Sequence, residues 1–381
     1  MGEKIIPYGR QFIDAEDVQA VVSCLESGWL TTGPAVERFE RKVADRVRAG
    51  YGVAFSSGST ALMGAVAALG LGPGDEVITT PITFAATANC ILNCGAKPVF
   101  ADVLPDSLLI DPQSVESLVT PATKAIFAVD YAGQPCDYPV LRAIADKNGL
   151  TLLSDCCHGL GSEQGGLTPA QQADITIYSF HPVKAITTGE GGMLVSDDAE
   201  IAAAAASFRN HGITSDFKKR EHSASYVYDI ERPGGNYRLS DIHCALGCSQ
   251  LDKLDFFLRE RERIAGIYDE VFSNFSAVAP LRREPGHANH LYVVRVDNAV
   301  RDDLFRLMRS GGIMVNVHYL PVHLMTLYRC ELGTGEGLCP VAEKAAKEIL
   351  SLPIFPGLTA EEQNRVVDVL KTGLIQLESG K

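Results

Sequence analysis

The strongest constraint in this chain is an alternation. Over its first two-thirds, short apolar runs rich in β-branched residues take turns with stretches of helical period. Residues 52–55, 76–79, 98–102, 125–129, 150–154, 175–180 and 193–195 read as strands. Residues 17–25, 36–47, 61–69, 85–94 and 138–148 read as helices. Strands joined through helices return to the same edge direction and pair in parallel, so the helices must cover both faces of the sheet. Ligands bind to such sheets at the carboxyl ends of the strands. A long helical pattern at 240–268 leads into a smaller C-terminal part. There 291–296 and 314–317 read as strands, and 341–350 and 360–377 as helices. The expected class is α/β, with a mainly parallel central sheet and helices on both faces. Residues 1–250 would form the large domain, N-terminal helical segment included, and 251–381 a small α+β domain.

Charge and cysteine usage narrow the partners. The chain carries 47 acidic against 34 basic residues, a formal net charge of −13, which repels nucleic acid and anionic lipid. Lys218, Lys219 and Arg220 form only a short basic cluster. No apolar run reaches the roughly 20 residues of a membrane helix. The alanine-rich 201–206 is too short, and it follows Asp197, Asp198 and Glu200. Met1-Gly2-Glu3-Lys4 leads into Ile5-Ile6-Pro7 without a signal-peptide pattern, so a soluble, cytoplasmic location is expected. Ten cysteines include no CxxC pair; Cys90/Cys94 and Cys244/Cys248 sit in apolar helix-like stretches, and Cys156 and Cys157 are adjacent. These read as small core residues in a reducing compartment, and no metal site is expected.

Three stretches have the residue types that chemistry needs. Ser56-Ser57-Gly58-Ser59-Thr60 lies between a strand and a helix, where free N–H groups and the helix dipole suit a phosphate. The same residues serve as ordinary helix caps. Asp155 follows a buried strand and precedes Cys156-Cys157-His158. A carboxylate there needs a cation, or else it caps the turn. Lys184 ends Tyr178-Ser179-Phe180-His181-Pro182-Val183-Lys184 and precedes the glycine-rich Gly189-Glu190-Gly191-Gly192. An amine partly buried among apolar neighbours favours its neutral, nucleophilic form, although a lone lysine in a loop is usually solvated. Phosphate cradle, strand-end carboxylate and lysine, in that order, would all be explained by pyridoxal phosphate.

With these residues in view the sequence resembles the DegT/DnrJ/EryC1/StrS aminotransferases, fold-type-I pyridoxal-phosphate enzymes acting on nucleotide sugars. The resemblance runs nearly end to end. It includes Gly28-Trp29-Leu30-Thr31-Thr32-Gly33-Pro34, Pro81-Ile82-Thr83-Phe84, Gly133-Gln134-Pro135-Cys136-Asp137, the turn at 155–158, residues 179–184 and Asn236-Tyr237-Arg238. Three stretches are similar to the members that serve pseudaminic acid biosynthesis. They are Ile6-Pro7-Tyr8-Gly9-Arg10-Gln11, residues 179–192, and Val317-His318-Tyr319-Leu320-Pro321-Val322-His323.

The resemblance implies Lys184 as the Schiff-base lysine and Asp155 as the partner of the pyridine nitrogen. It implies Phe84 as the aromatic stacked on the cofactor ring, and Gly58, Ser59 and Ser179 as phosphate contacts. His158 would stand near the phenolic oxygen. Asn236 would be a phosphate contact lent by the neighbouring subunit of a homodimer. The implied reaction moves an amino group from L-glutamate to C4 of a UDP-linked 4-keto-6-deoxy-N-acetyl hexose. Its products would be UDP-4-amino-4,6-dideoxy-N-acetyl-β-L-altrosamine and 2-oxoglutarate. Alternatives are amination of another keto sugar at C4 or C3, or a non-catalytic cofactor-binding regulator. A sugar 3-dehydratase of this scaffold would have His in place of Lys184. Two departures stand out. Cys156 and Cys157 occupy positions where the family has alanine-type residues. Asn289 stands where close relatives tend to carry Trp, and it changes which sugar fits if it lines the sugar pocket. The insert 216–228, with Lys218, Lys219 and His222, offers either a diphosphate contact or a solvated loop.

Overall fold

The computed structural model of the chain describes residues 5–213 and 226–379. Two N-terminal helices, α1 (Ala15–Glu26) and α2 (Pro34–Val47), lead into a seven-stranded sheet. Its strands are β1 (Tyr51–Phe55), β2 (Glu76–Thr79), β3 (Lys97–Phe100), β4 (Thr123–Val129), β5 (Thr151–Asp155), β6 (Ile175–Ser179) and β7 (Gly192–Ser196), in the order β1-β7-β6-β5-β4-β2-β3. The pairs β2–β3, β2–β4, β4–β5 and β5–β6 are parallel; β7 runs antiparallel to both β1 and β6. The mainly parallel sheet is therefore as expected, with a single reversed strand.

The helices between the strands are α3 (Gly58–Ala68), α4 (Ala85–Asn93), α5 (Pro112–Leu118), α6 (Tyr138–Asn148) and α7 (Ala199–Phe208). All but α4, whose N-cap Phe84 supplies no side-chain cap, start where a polar side chain suits an N-terminus. Asp111, Asp137 and Asp198 accept from first-turn N–H groups of α5, α6 and α7. Both faces of the central strands are buried; Ile126, Phe127, Leu152 and Leu153 are each fully enclosed. This is why those strands read as continuous apolar runs rather than alternating ones.

The long helical pattern at 240–268 is two helices, α8 (Asp241–Asp252) and α9 (Leu254–Phe272). The break falls at Lys253, whose amine reaches Asp14 at 2.6 Å and the fully buried Asp17 at 2.8 Å. A small antiparallel sheet of β8 (Ala279–Pro280), β9 (Tyr292–Arg295) and β10 (Ile349–Leu352) follows, in the order β10-β9-β8. Around it lie α10 (Asn298–Ser310), α11 (Thr326–Leu332), α12 (Pro340–Glu348) and α13 (Ala360–Ser379).

Two expectations are corrected here. Residues 314–317 make only an isolated bridge, Asn316 to Ser351, because the Met314 N–H bonds the Ile6 carbonyl instead of extending that pairing. The helix expected at 341–350 ends at Glu348, and Ile349 begins β10, an entirely buried strand paired with β9. All ten cysteines are free; seven, including Cys136 and Cys156, are buried, and Cys330 is exposed. Among the described residues no cluster of three or more His, Cys, Asp or Glu is placed to hold a metal, and no helix is long and apolar enough to cross a membrane.

Candidate active site

The carboxyl ends of β1, β5 and β6 converge, because their strands lie together in the middle and one edge of the sheet. At the end of β1 the chain turns into α3. Ser57 is the N-cap; its hydroxyl accepts from the Thr60 N–H at 3.1 Å, and Thr60 Oγ1 accepts in return from the Ser57 N–H at 3.0 Å. This capping box leaves the N–H groups of Gly58 and Ser59 without intrahelical acceptors. A Cβ on Gly58 would lie 3.0 Å from Ser179 Cβ and 3.2 Å from Cys157 Sγ, so a side chain there would intrude between the ends of three strands. The glycine run before β7 has a similar cause. A Cβ on Gly192 would fall 2.4 Å from the carbonyl carbon of Ser57.

Asp155 closes β5 and is 5% exposed. Its Oδ2 accepts from the Thr87 hydroxyl at 2.6 Å, and its Oδ1 from the Cys157 N–H at 3.2 Å. Thr87 lies on α4 and is 2.8 Å from the hydroxyl of Thr83. Among the described residues no cationic side chain comes within ion-pairing distance of Asp155, so its charge rests on two neutral donors.

Lys184 sits in the turn after β6, its N–H donating to the His181 carbonyl at 2.9 Å. Burial lowers the proton affinity of its amine below the ordinary lysine value, and Arg261 acts in the same direction. Cys157 and Asp155 oppose them. His158 Nε2 is 3.0 Å from the Tyr319 hydroxyl, while its Nδ1 is buried without a hydrogen-bond partner. The His290 ring lies 4.4 Å from that of His158, and its Nδ1 is likewise unpartnered. Burial, then neighbouring Lys184 and His318, hold His158 well below the usual imidazole value, so it is neutral at pH 7. His318 is pushed down to about 4, first by burial and then by Lys184. Phe84, at the N-cap of α4, keeps 61% of its surface exposed at the cavity mouth, its ring 6.3 Å from that of Tyr319.

These groups surround one cavity of about 530 Å³. Gly58, Ser59, Phe84, Asp155, His158, Ser179 and Lys184 all line it. Asn236 does not. It is exposed on the stretch that passes β1, bridged to Asn210 and next to Arg238, whose guanidinium donates to the Asn210 side chain at 2.6 Å. Asn210 and Arg238 border a second cavity of about 550 Å³, with Thr31, Thr32 and Gly33 on its other side.

Asn289 lies outside the first cavity. It is 1% exposed, and its side chain bonds Glu262 at 2.5 Å and Arg283 at 2.6 Å; the neighbouring His290 is the one that faces the cavity. Of the insert, residues 216–225, with Lys218, Lys219 and His222, lie outside the described residues. Thr87, His290 and the unpartnered state of His158 were not singled out from sequence. Tyr8, His318 and Tyr319, which also line the cavity, stand in stretches that carried the resemblance.

The residues fit pyridoxal phosphate on three observations. A buried carboxylate lacks a cation, as it would before meeting a protonated ring nitrogen. A first helical turn has free N–H groups beside the Ser179 hydroxyl, which suits a phosphate. An amine with depressed proton affinity shares their cavity. A metal is not implied.

Comparisons with known proteins show what the chain as a whole is similar to. The profile of the DegT/DnrJ/EryC1/StrS aminotransferase family matches residues 11–371. Spore coat polysaccharide biosynthesis protein SpsC of Bacillus subtilis (strain 168) is 37% identical over 374 residues, covering 96% of this chain and 96% of its own. Helicobacter pylori PseC, an aminotransferase involved in the biosynthesis of pseudoaminic acid, is 32% identical; 97% of this chain and 99% of that chain superpose with a TM-score of 0.91. Spr1654 from Streptococcus pneumoniae in its PLP-form is 31% identical, with a TM-score of 0.91 over 97% of this chain and 98% of that chain. The chain thus belongs to the DegT/DnrJ/EryC1/StrS family of pyridoxal-phosphate-dependent sugar aminotransferases.

Proposed function

We propose that this chain transfers the amino group of L-glutamate to C4 of a UDP-linked 4-keto-6-deoxy-N-acetyl hexose, giving UDP-4-amino-4,6-dideoxy-N-acetyl-β-L-altrosamine and 2-oxoglutarate. The observation that carries the chemistry is the meeting of Lys184 and Asp155 in one cavity. The likeness to PseC, whose role is in pseudoaminic acid biosynthesis, supports the substrate.

When bound, pyridoxal phosphate supplies an aldehyde carbon that condenses with amines and a ring that takes up the electron pair of a deprotonated carbon. Gly58 and Ser59 N–H groups and the Ser179 hydroxyl are assigned to its phosphate, and Phe84 to the face of its ring. His158 is assigned to its phenolic oxygen. Asp155 keeps the ring nitrogen protonated by its charge, which the Thr87 hydroxyl and the Cys157 amide hold in place. Lys184 first tethers the group and, once displaced, its amine moves a proton to and from the reacting carbon. That base role requires the free amine, and burial lowers the amine's proton affinity in that direction. Asn236, exposed and outside its own chain's cavity, is assigned to the phosphate of a second copy, so the working unit is a homodimer. Residues 1–250 form the cofactor-binding domain in this reading, and 251–381 the small one. The location is cytoplasmic.

The deciding experiment offers the purified protein a panel of UDP- and dTDP-linked 4-keto and 3-keto sugars with glutamate, read by mass spectrometry. An amine gained by the UDP-linked 4-keto-6-deoxy-N-acetyl hexose alone is expected. Preference for a dTDP sugar or a 3-keto sugar transfers the assignment to another family substrate, and no amination of any sugar leaves only cofactor binding. Borohydride reduction followed by peptide mapping should place the label on Lys184, and Lys184→Ala should reduce turnover to background.

A further inference from the structure

Arg261, on α9 (Leu254–Phe272), is 1% exposed and holds no carboxylate partner among its hydrogen bonds. Its guanidinium donates instead to four carbonyls: Asn289 at 3.3 Å, His290 at 3.2 Å, Ile354 at 3.0 Å and Val183 at 3.4 Å. Its Nε is buried with no acceptor. A buried charge satisfied by carbonyl dipoles alone is expensive to maintain, and a methionine or leucine would fill the volume without that cost.

The four carbonyls are not an arbitrary set. Val183 precedes Lys184, and His290 faces the same cavity. The Ile354 N–H donates to the Tyr8 carbonyl at 3.0 Å, and Tyr8 lines the cavity as well. One side chain thus ties together the lysine turn and two further walls of the site, and it places a permanent positive charge behind the lysine.

We propose that Arg261 is a positioning residue for Lys184: it fixes the lysine turn through the Val183 carbonyl, and its positive charge disfavours a second cation on the lysine amine. The inference rests on Lys184 being the reacting amine.

The other charges around the amine do not supply this effect. Asp155 and Cys157, at the end of β5, favour the ammonium form. His158, His290 and His318 are held neutral by burial and add no fixed charge. Tyr8 and Tyr319, on the N-terminal segment and the 317–320 stretch, are held protonated by burial. Glu190 and His181, on the lysine's own loop, line the cavity too. Arg261 is the fixed cation acting against the ammonium form from the small-domain side.

The test measures Lys184 itself in full-length, cofactor-stripped protein. A pulse of isotopically labelled acetic anhydride across a pH series, with mass spectrometry of the Lys184 peptide, gives the midpoint of its deprotonation; exposed Lys97 is the internal reference. In the wild type Lys184 should deprotonate at lower pH than Lys97. In Arg261→Gln its proton affinity should rise at least tenfold, about one pH unit. An unshifted wild-type midpoint, or a variant midpoint equal to the wild type's, overturns the proposal.

Should Arg261→Gln not fold, Arg261→Lys decides, since it keeps the charge but loses the fork. An unchanged midpoint with turnover down about tenfold supports the proposal; a midpoint returned to that of Lys97 overturns it. Borohydride mapping on the wild type separates the two failures. A label on another lysine removes the Lys184 reading, whereas a label on Lys184 with a midpoint indifferent to Arg261 removes only this inference.

Discussion

Asp155 and Gly58 show how little tolerance the site allows a single residue. The Thr87 hydroxyl is one of two donors to a buried carboxylate, and a hydrogen bond to a charged group contributes roughly 1.5–3 kcal/mol. Thr87→Val keeps the volume and removes that donor. On the proposed role of Asp155, amine transfer should fall ten- to a hundredfold in kcat/KM while the melting temperature shifts little. Unchanged kinetics would show that Thr87 does not support the carboxylate. Gly58→Ala places a methyl group 3.0 Å from Ser179 Cβ, which forces the cradle apart by a few tenths of an ångström. Cofactor affinity, read by titration of absorbance, should weaken several-fold with the fold intact. These two residues also mark what sequence could reveal. Gly58 stands in a Ser/Gly run between strand and helix, a pattern with a physical meaning of its own. Thr87 is one threonine within a helical stretch, and nothing local distinguishes it until β5 brings Asp155 alongside. Asn289 illustrates the converse. Its departure from relatives drew attention to it, yet its amide is spent on Glu262 and Arg283, away from the cavity.

Among the elements, α2 depends on a residue some two hundred positions away. Asp241 is fully buried at the start of α8, and its carboxylate accepts from the Gly33 N–H at 2.7 Å and the Ala35 N–H at 2.9 Å. Gly33, the N-cap of α2, has no side chain to cap with, so the carboxylate arrives from another helix and meets the positive end of the dipole. Asp241→Ala leaves buried donors unsatisfied, at a cost of about 2–4 kcal/mol. The melting temperature should drop by several degrees, measured by scanning calorimetry. The sequence showed α2 through its apolar period but could not show what starts it. The same limit explains the misread 341–350. Apolar residues there continue the helical period into Ile349 and Leu350, and only pairing with β9 reveals that the backbone has become extended. The strands of the large sheet were easier, because runs buried on both faces leave a signal that needs no partner to interpret.

The molecule as a whole carries opposing responses to acid. His158, His290 and His318 are buried and neutral, with His318 pushed down to about 4 from an ordinary 6.5. Between those two values the unfolded chain binds a proton that the native state refuses, so this contribution to stability is present above pH 6.5 and is lost as pH falls towards 4. Asp130 works the other way. Burial raises its carboxyl to about 6, despite hydrogen bonds from the Cys136 amide and the Tyr138 and Ser154 hydroxyls. The native state holds that proton more tightly, so this contribution grows as pH falls from 6. Each effect is on the order of a few kcal/mol at full extent. Three imidazoles outweigh one carboxyl, and the melting temperature should fall between pH 7 and pH 5 in scanning calorimetry. His318→Gln should flatten that fall and Asp130→Asn should steepen it; a melting temperature that rises on acidification would contradict the sign.

The walls of the first cavity come from Tyr8 at one end of the chain to Met325 near the other, with Lys184 midway. During synthesis on a ribosome, the residues assigned to vitamin B6 within one chain, Gly58 to Lys184, therefore emerge well before His290, His318 and Tyr319, which complete the cavity. A prematurely terminated product would meet its cofactor in an open, unfinished cavity.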